Sequence, residues 1–149
     1  MPHQFWVFLH LLGVIVWVGG MFFAYFCLRP AAASVLLPAQ RLPLWDAAFQ
    51  PFLRWTAIAV AAVLVSGTTM MVQVGMRNAP LGWHLMMGLG LLMAFVFLYV
   101  YIYLYPKLRL ACQASDWPAA GTALNRIRHM VEVNLGLSLL TLVSAILIR

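Results

Sequence analysis

Charge is the property that this sequence has least of. Only 8% of its 149 residues are charged and three of them are acidic, whereas 65% are hydrophobic and the mean hydropathy is +0.96. A soluble domain carries roughly a quarter charged residues. The composition therefore excludes a soluble globular domain, and it predicts one integral membrane unit that spans residues 1–149.

Cysteine and the common catalytic motifs are scarce as well. The two cysteines, Cys27 and Cys112, are far apart in the chain, so neither a disulfide framework nor a close-spaced metal motif is expected. There is no phosphate-binding loop, no nucleophile–base pair and no pair of carboxylates, which argues against hydrolytic chemistry. The net charge of +6 comes from basic residues at the ends of apolar segments, so the lipid bilayer, and not nucleic acid, is the expected partner.

Long apolar segments, in contrast, are abundant. Crossing a bilayer takes roughly 20 apolar residues, and four segments meet this requirement: residues 5–28, 55–74, 83–105 and 130–148. The first is predicted to be a retained membrane helix and not a cleaved signal peptide, because no basic residue precedes it. Residues 42–53 are apolar and aromatic, and they are predicted to form an interfacial helix in the first cytoplasmic loop. The expected fold is all-α, a four-helix up-down membrane bundle.

The basic residues predict the orientation of this bundle. An even number of spans places both termini on one side, together with Arg77 and the terminal anchor Arg149. Cytoplasmic loops are enriched in Lys and Arg, so we expect the other side to be cytoplasmic and both termini to be periplasmic, in a bacterial inner membrane. The basic residues of that other side are Arg29, Arg41, Arg54, Lys107, Arg109, Arg126 and Arg128.

Two histidines, His10 and His84, lie just inside the same end of the first and third segments. An ionisable side chain within hydrocarbon is costly and marks a functional site by default. Two imidazoles that face each other at one depth can ligate a haem iron from its two sides, or they can hold copper. We therefore predict that His10 and His84 share a metal centre. The alternative is that His10 bonds a backbone carbonyl and that His84 is merely solvated.

Small residues accompany both histidines. Gly13, Trp17 and Gly20 share the helix face of His10, and Gly88 shares the face of the other histidine. Glycines on a face allow a flat ligand to approach closely, and Trp17 can form the wall of its pocket. The same glycines are also typical of a seam between two packed helices, so both interpretations stay open at this point.

Methionines support a competing hypothesis, in which the metal is copper. Thioethers are soft ligands that suit Cu(I), and imidazole also accepts copper. Methionine is, however, a common filler in apolar helices. Neighbouring side chains on a helix diverge by about 100°, so only one member of each adjacent pair is expected to face a shared site. The methionines of the periplasmic half are Met1, Met70, Met71, Met76, Met86 and Met87, and the copper site would use the two adjacent pairs.

The remaining histidines are not expected to join this site. His3 precedes the membrane, and His129 lies at the opposite, cytoplasmic end. Glu132 is the only acid close to a span, and the i,i+4 spacing predicts an ion pair between Arg128 and Glu132 in preference to a proton relay.

One part of the sequence resembles a known family. Residues Leu9–Pro30, LHLLGVIVWVGGMFFAYFCLRP, resemble the first helix of CopD-type copper-resistance membrane proteins in their order of histidine, W-x-G-G and Arg-Pro. The layout of four spans is also similar to that of HemJ-type protoporphyrinogen oxidases, small membrane proteins that bind haem b. Trp83–Leu92 and Arg126–Leu137 fit the third and fourth helices of this wider group. The resemblance implies a haem b held by His10 and His84, or copper handling at the periplasmic face.

The sequence departs from the HemJ-type pattern in two places. That family has a lysine shortly after the histidine of the third helix, where residues 85–88 here read Leu-Met-Met-Gly. Its Asn-Glu-x-Pro element is also missing, since residues 131–134 read Val-Glu-Val-Asn. Protoporphyrinogen oxidation is therefore not expected, and an oxidoreductase activity of another kind is left open.

The sequence thus yields three ranked hypotheses. The first is a small membrane cytochrome with a bis-histidine haem b, which transfers electrons and has a quinone or a redox protein as its partner. The second is a copper-binding or copper-transport protein that uses the same histidines with methionines, and transport would favour a homo-oligomer. The third is a structural subunit of a larger complex, in which both histidines are merely hydrogen-bonded.

Overall fold

The computed structural model describes residues 2–148 and shows an all-helical protein, with no strand in that range. Four helices are long and apolar enough to cross a membrane. They are α1 (His3–Val35), α2 (Pro38–Val74), α3 (Leu81–Gln113) and α4 (Trp117–Leu147). The predicted fold class, an all-α four-helix membrane bundle, is confirmed.

Each helix is longer than the membrane requires. The helices contain 31 to 37 residues, which corresponds to roughly 46 to 56 Å at 1.5 Å per residue. The hydrocarbon core of a bilayer is only about 30 Å thick. The first three predicted spans lie inside these helices, and the fourth, residues 130–148, exceeds the end of α4 by one residue. The helices therefore contain more turns than an apolar layer of this thickness needs.

The helices run alternately up and down. His3 at the start of α1 lies beside Gln73 at the end of α2, with 3.3 Å between the His3 Nδ1 and Gln73 Oε1 atoms. At the start of α3, Gly82 packs so closely against the carbonyls of Ser144 and Ile148 that a Cβ atom there would clash. Both termini and the α2–α3 loop therefore share one end of the bundle, named here the termini end. The opposite end, which carries the seven Arg and Lys residues given above, is named the basic end.

Two helices continue through prolines at which the sequence predicted the spans to end. α1 contains a π-helical segment, Phe23–Leu28, just before Pro30, and α3 contains another, Val100–Leu104, just before Pro106. In both cases the residue before the proline donates its N–H to the carbonyl five residues earlier. Proline lacks an N–H and crowds the preceding turn. The wider π-helical turn relieves this crowding, and the helix extends into the basic end.

The predicted interfacial helix is not a separate element. Residues 42–53 form part of α2, and one face of this segment is covered by protein: Leu42, Trp45, Phe49 and Leu53 are each at most 5% exposed. They face the basic end of α3, where Tyr105 donates its hydroxyl to the backbone carbonyl of Asp46 at 3.4 Å. An apolar helix face can pack against a neighbouring helix as well as against a membrane surface. In this structure it packs against protein.

The centre of the bundle is tightly closed. Trp17 from α1 and Phe97 from α3 are 2% and 5% exposed, and their rings meet edge to face with centroids 6.4 Å apart. Val60 of α2 and Met93 of α3 belong to the same buried cluster. This central plug, which consists of Trp17, Val60, Met93 and Phe97, separates two cavities that lie at opposite ends of the bundle.

Candidate metal site

A cavity of about 320 Å³ lies among all four helices at the termini end. Its wall is mostly apolar, with Ser138 and Thr141 of α4 as its hydroxyl groups. Two histidines also line it, His3 and His10. We name it the methionine cavity after the five methionines in its lining, which are Met70, Met71, Met86, Met87 and Met93.

The imidazole of His10 is held from one side by α2. Its Nδ1 lies 3.1 Å from the carbonyl oxygen of Val63 and 3.0 Å from the hydroxyl oxygen of Ser66. The Ser66 hydroxyl in turn donates to the Ala62 carbonyl at 2.6 Å, so its oxygen is free to accept. Because a carbonyl oxygen can only accept, the proton of the neutral imidazole resides on Nδ1. The lone pair of Nε2 is then available, and no described residue bonds to it.

Gly67 of α2 makes room for this imidazole. A Cβ atom at Gly67 would lie 3.2 Å from the His10 Cε1 atom, closer than most side chains approach, and 3.5 Å from its Nδ1 atom. The same Cβ would lie 4.0 Å from the terminal methyl of Met87. The histidine of α1 and a thioether of α3 thus approach each other across the open surface of Gly67.

The α1 side of the cavity consists of a single stripe. His3, Val7, His10, Val14 and Trp17 all line the cavity. They recur at intervals of three and four residues, which places them on one face of the helix. His10 and Trp17, two residues of the predicted site, therefore line the cavity on this face, and so does His3, which was not expected there. The same spacing is visible in the sequence, where it places His3 and His10 on one face of the helix.

More of the paired methionines line the cavity than the sequence predicted. Only one member of each pair was expected to face a shared site, but Met70, Met71, Met86 and Met87 all line the cavity. The cavity is wide enough to span two adjacent positions of a helix, and the unbranched thioether chain adapts to it. Met93, which the sequence analysis did not single out, lies at its inner end with 4% exposure.

His84 lies on another face of α3. Its side chain is exposed, and its Nδ1–H donates to the Pro80 carbonyl of the preceding turn at 3.2 Å. Gly88 on the same face is also exposed and has open space where a Cβ would be. Trp83 and Gly90, in contrast, line the cavity. The structure therefore does not bring His84 and Gly88 together with His10.

Gly13 and Gly20 form a seam between α1 and α2. A Cβ at Gly13 would lie 2.7 Å from a methyl group of Val63 and 2.9 Å from the Ala59 carbonyl. A Cβ at Gly20 would lie 2.5 Å from the ring of Phe52. Both glycines are therefore occupied by close helix packing, and the space they were predicted to provide for a flat ligand is filled by α2.

These observations test the fit of a haem. A bis-histidine haem requires two imidazoles on opposite sides of one macrocycle. Here the second imidazole, that of His84, is outside the bundle interior, and the glycine faces are filled by Val63 and Phe52. The residues do not fit the predicted haem b, and no electron-transfer step is derived from it.

The donor set is soft. Within residues 2–148, no group of three or more His, Cys, Asp or Glu side chains lies close enough to hold a metal ion. The cavity instead combines imidazole with thioether sulfur, a set that suits Cu(I) much better than hard or intermediate cations. Met1 and Arg149, which the sequence analysis placed at this end, lie outside the described residues.

The charged group near the other end differs from its prediction. Glu132 lies 3.8 Å from the Nδ1 atom of His129, and both side chains are more than half exposed. The expected pair with Arg128 is not formed, because Arg128 turns towards a cavity at the basic end. Neither His129 nor Glu132 lines either cavity.

The fold and the site together define a class: a multi-pass membrane protein whose four-helix bundle encloses a soft-donor cavity at one end. The family model CopD, copper resistance protein D, matches residues 46–148, which is more than half of the chain. The protein belongs to the CopD family. No curated protein and no solved structure matches the chain. The CopD-type part of the resemblance is thereby confirmed, and the HemJ-type part is not.

The family match covers only part of the candidate site. It contains all five methionines of the cavity and His84, but it begins within α2 and leaves out α1. The position of His10 in the site therefore depends on the geometry described above and not on the family match.

Proposed function

We propose that this protein binds copper, as Cu(I), in the methionine cavity. The ion is its substrate, and the imidazole of His10 is the nitrogen ligand. The sulfur ligands come from the cavity methionines Met70, Met71, Met86, Met87 and Met93. This is the function that the family name and the soft donor set jointly favour.

The hydrogen bonding of His10 carries the proposal. Metal-ligating histidines usually donate one ring N–H to a carbonyl or a similar acceptor, which fixes the orientation of the ring and directs the other nitrogen to the metal. The Nδ1–H of His10 has two such acceptors on α2, Val63 and Ser66, at 3.1 and 3.0 Å. If the only role of His10 were a hydrogen bond between two packed helices, nothing would require a thioether-lined cavity beside it.

The methionines supply sulfur from two helices. Met70 and Met71 belong to α2, whereas Met86, Met87 and Met93 belong to α3. With His10 on α1, the proposed ligands come from three of the four helices. Copper binding would therefore connect three helices through one ion, and it should stabilise the termini end.

The closed centre supports binding over passage. The plug around Trp17 and Phe97 is buried and lies between the methionine cavity and the basic end. Transport would need this plug to open or would need a partner copy. A quinone, a redox protein and a second copy of the chain remain predicted partners.

We further propose that the termini end faces the periplasm of a bacterial inner membrane. Seven of the nine Lys and Arg residues belong to the basic end, and cytoplasmic loops are those enriched in basic residues. In this orientation the methionine cavity would take up copper at the outer side of the membrane.

The test is a Cu(I) titration of the protein in mild detergent, in competition with a colorimetric chelator. We expect one high-affinity Cu(I), and we expect His10→Ala to weaken its affinity by about 100-fold or more, because loss of the ligand itself should exceed the tenfold to 100-fold typical for loss of a partner that orients it. X-ray absorption of the loaded protein should show sulfur together with nitrogen ligands.

His84→Ala is the matched control, because His84 lies at the same end on an exposed face. It should leave the Cu(I) affinity unchanged. Equal losses in the two variants, or none in His10→Ala, would refute the proposed site. A Soret band that disappears in both variants would instead restore the haem hypothesis.

A further inference from the structure

A second cavity, of about 450 Å³, lies at the basic end among α1, α2 and α4. Its lining contains three arginines, one from each helix: Arg29, Arg41 and Arg128. We name it the arginine cavity. It is separated from the methionine cavity by the central plug, and none of the residues assigned to copper lines it.

The three arginines differ from the other basic residues of this end. Arg29, Arg41 and Arg128 are half-buried. The remaining basic side chains of the basic end are exposed and do not line the cavity, and these are Arg54, Lys107, Arg109 and Arg126. The positive-inside rule asks only for basic residues on one side of the membrane, so it does not account for three of them converging on one cavity.

No carboxylate neutralises these arginines. The ion pair found within residues 2–148 joins His129 and Glu132, and no Asp or Glu lines the cavity. Three guanidinium groups gathered in a partly desolvated space repel one another, and partial burial costs each of them part of its hydration. Such an arrangement is favourable when an anion occupies the space between them.

Arg29 is oriented towards this space. Its guanidinium lies over the ring of Tyr25, 5.1 Å from the centroid, and both residues line the cavity. A cation–π contact of this kind restricts the side chain without neutralising its charge. Arg29 also follows the π-helical segment of α1 directly, so the widened turn sets the face on which it emerges.

Apart from Asn125, the rest of the cavity wall is mostly aromatic and apolar. Trp45, Phe49 and Phe52 of α2 line one side, and Trp117 at the start of α4 lines another. The rings of Trp45 and Phe49 have centroids 5.2 Å apart. A small inorganic anion would contact the arginines alone and would make no use of this wall. A molecule with both an anionic group and hydrocarbon would cover both.

We propose that the arginine cavity binds the phosphate headgroup of an anionic membrane lipid, with its acyl region against the aromatic wall. Arginine is well suited to phosphate because its planar guanidinium donates two parallel hydrogen bonds. The cavity lies at the basic end, and because the helices are longer than the hydrocarbon core, we expect this end to reach the level of the lipid phosphates. Free phosphate has the same headgroup chemistry, and the experiment separates the two sources.

The experiment measures thermal unfolding of the full chain in neutral detergent with added phosphatidylglycerol, phosphatidylcholine or inorganic phosphate. We expect phosphatidylglycerol to raise the melting temperature in a saturable way, and the other two additions to leave it unchanged. Arg29→Gln, Arg41→Gln and Arg128→Gln should each weaken the apparent affinity for phosphatidylglycerol by about tenfold, as expected for loss of a charge-assisted contact.

Arg54→Gln and Arg126→Gln are the matched controls, since they remove the same charge from exposed positions. They should bind phosphatidylglycerol like the unmodified protein. If all five variants lose affinity equally, the effect is general surface charge and the proposed site is refuted. A response to inorganic phosphate as large as that to the lipid would replace the lipid by free phosphate.

A second measurement covers variants that unfold too early for the melting assay. Native mass spectrometry of the freshly purified protein should show a retained anionic lipid, and this lipid should be absent from a variant in which all three cavity arginines are glutamine. Retention unchanged in that variant would overturn the proposal. Copper binding at the other end is expected to be unaffected, so this proposal and the copper proposal fail or succeed separately.

Discussion

The two cavities of this bundle are of similar size but of different chemistry. The methionine cavity measures about 320 Å³ and is lined by five thioethers and two imidazoles. The arginine cavity measures about 450 Å³ and is lined by three guanidinium groups and one thioether, that of Met21. Both are formed largely by the same long helices, so the backbone does not distinguish them. The difference between the cavities comes from the side chains on the inward-facing stripe of each helix.

Helix α1 illustrates this difference along a single element. His10 faces one cavity and Arg29 faces the other, with Trp17 between them at the plug. The imidazole is positioned by hydrogen bonds to α2, whereas the guanidinium is positioned by an aromatic ring of its own helix. A neutral imidazole offers a lone pair to a soft cation, while a permanent cation attracts an anion. One helix can thus serve opposite ligands at its two ends, provided that its centre keeps them apart.

Removal of the plug should have the largest effect on this separation. Trp17→Ala deletes a large side chain that is 2% exposed, and such truncations in a core cost about 3–5 kcal/mol of unfolding free energy. We expect a marked fall in melting temperature. If the variant is stable enough for reconstitution into liposomes, we also expect Cu(I) leakage above the level of the unmodified protein.

Trp55→Ala is the control for that truncation, because Trp55 is 64% exposed on α2. It should change the melting temperature and the Cu(I) leakage little. Leakage that is unchanged in a folded Trp17→Ala protein would show that the two cavities are separated by more than this plug.

Replacement of sulfur should have the next largest effect, and it should act on one cavity alone. Changing Met70, Met71, Met86 and Met87 to leucine conserves side-chain volume, and swaps of this kind usually cost less than about 1.5 kcal/mol each. We expect the Cu(I) affinity to fall by about 100-fold or more, because four soft donors are lost. The response to phosphatidylglycerol should persist.

The control for this variant changes methionines outside the cavity. Met76 is exposed in the α2–α3 loop, and Met130 of α4 lines neither cavity. Leucine at both positions should leave the Cu(I) affinity intact. A comparable loss in the control would mean that methionine content in general, and not this cavity, determines the affinity.

The number and extent of the spans could be predicted because hydrocarbon imposes strict requirements on length and polarity. Continuation beyond Pro30 and Pro106 could not, since it depends on π-helical turns that local sequence does not announce. The covered face of residues 42–53 was ambiguous for a similar reason. Apolar residues at helical spacing indicate that a face is buried, but they do not indicate whether lipid or protein buries it.

The candidate site was predictable in part, and the limit is clearest on α3. This helix is apolar on nearly every side in its membrane segment, so periodicity could not tell the face of His84 and Gly88 from the face of Met86, Met87 and Gly90. Packing against α4 determines which face of α3 lines the cavity, and packing between helices cannot be inferred from local sequence. On α1 the polar His10 and its heptad-spaced neighbours marked the inner face, and there the prediction of a site residue agrees with the cavity lining.

The smallest expected effect concerns the group that holds His10. Ser66→Ala removes one of the two acceptors of the Nδ1–H but leaves the Val63 carbonyl in place. Loss of such an orienting contact typically weakens metal binding by about tenfold, and we expect this loss in the Cu(I) titration with little change in melting temperature. Ser144→Ala is the matched control, because that serine is also buried at the termini end and donates to a carbonyl of its own helix. If the two serine variants bind Cu(I) equally well, the orientation of His10 does not contribute to the site, and the soft cavity acts through its sulfur atoms alone.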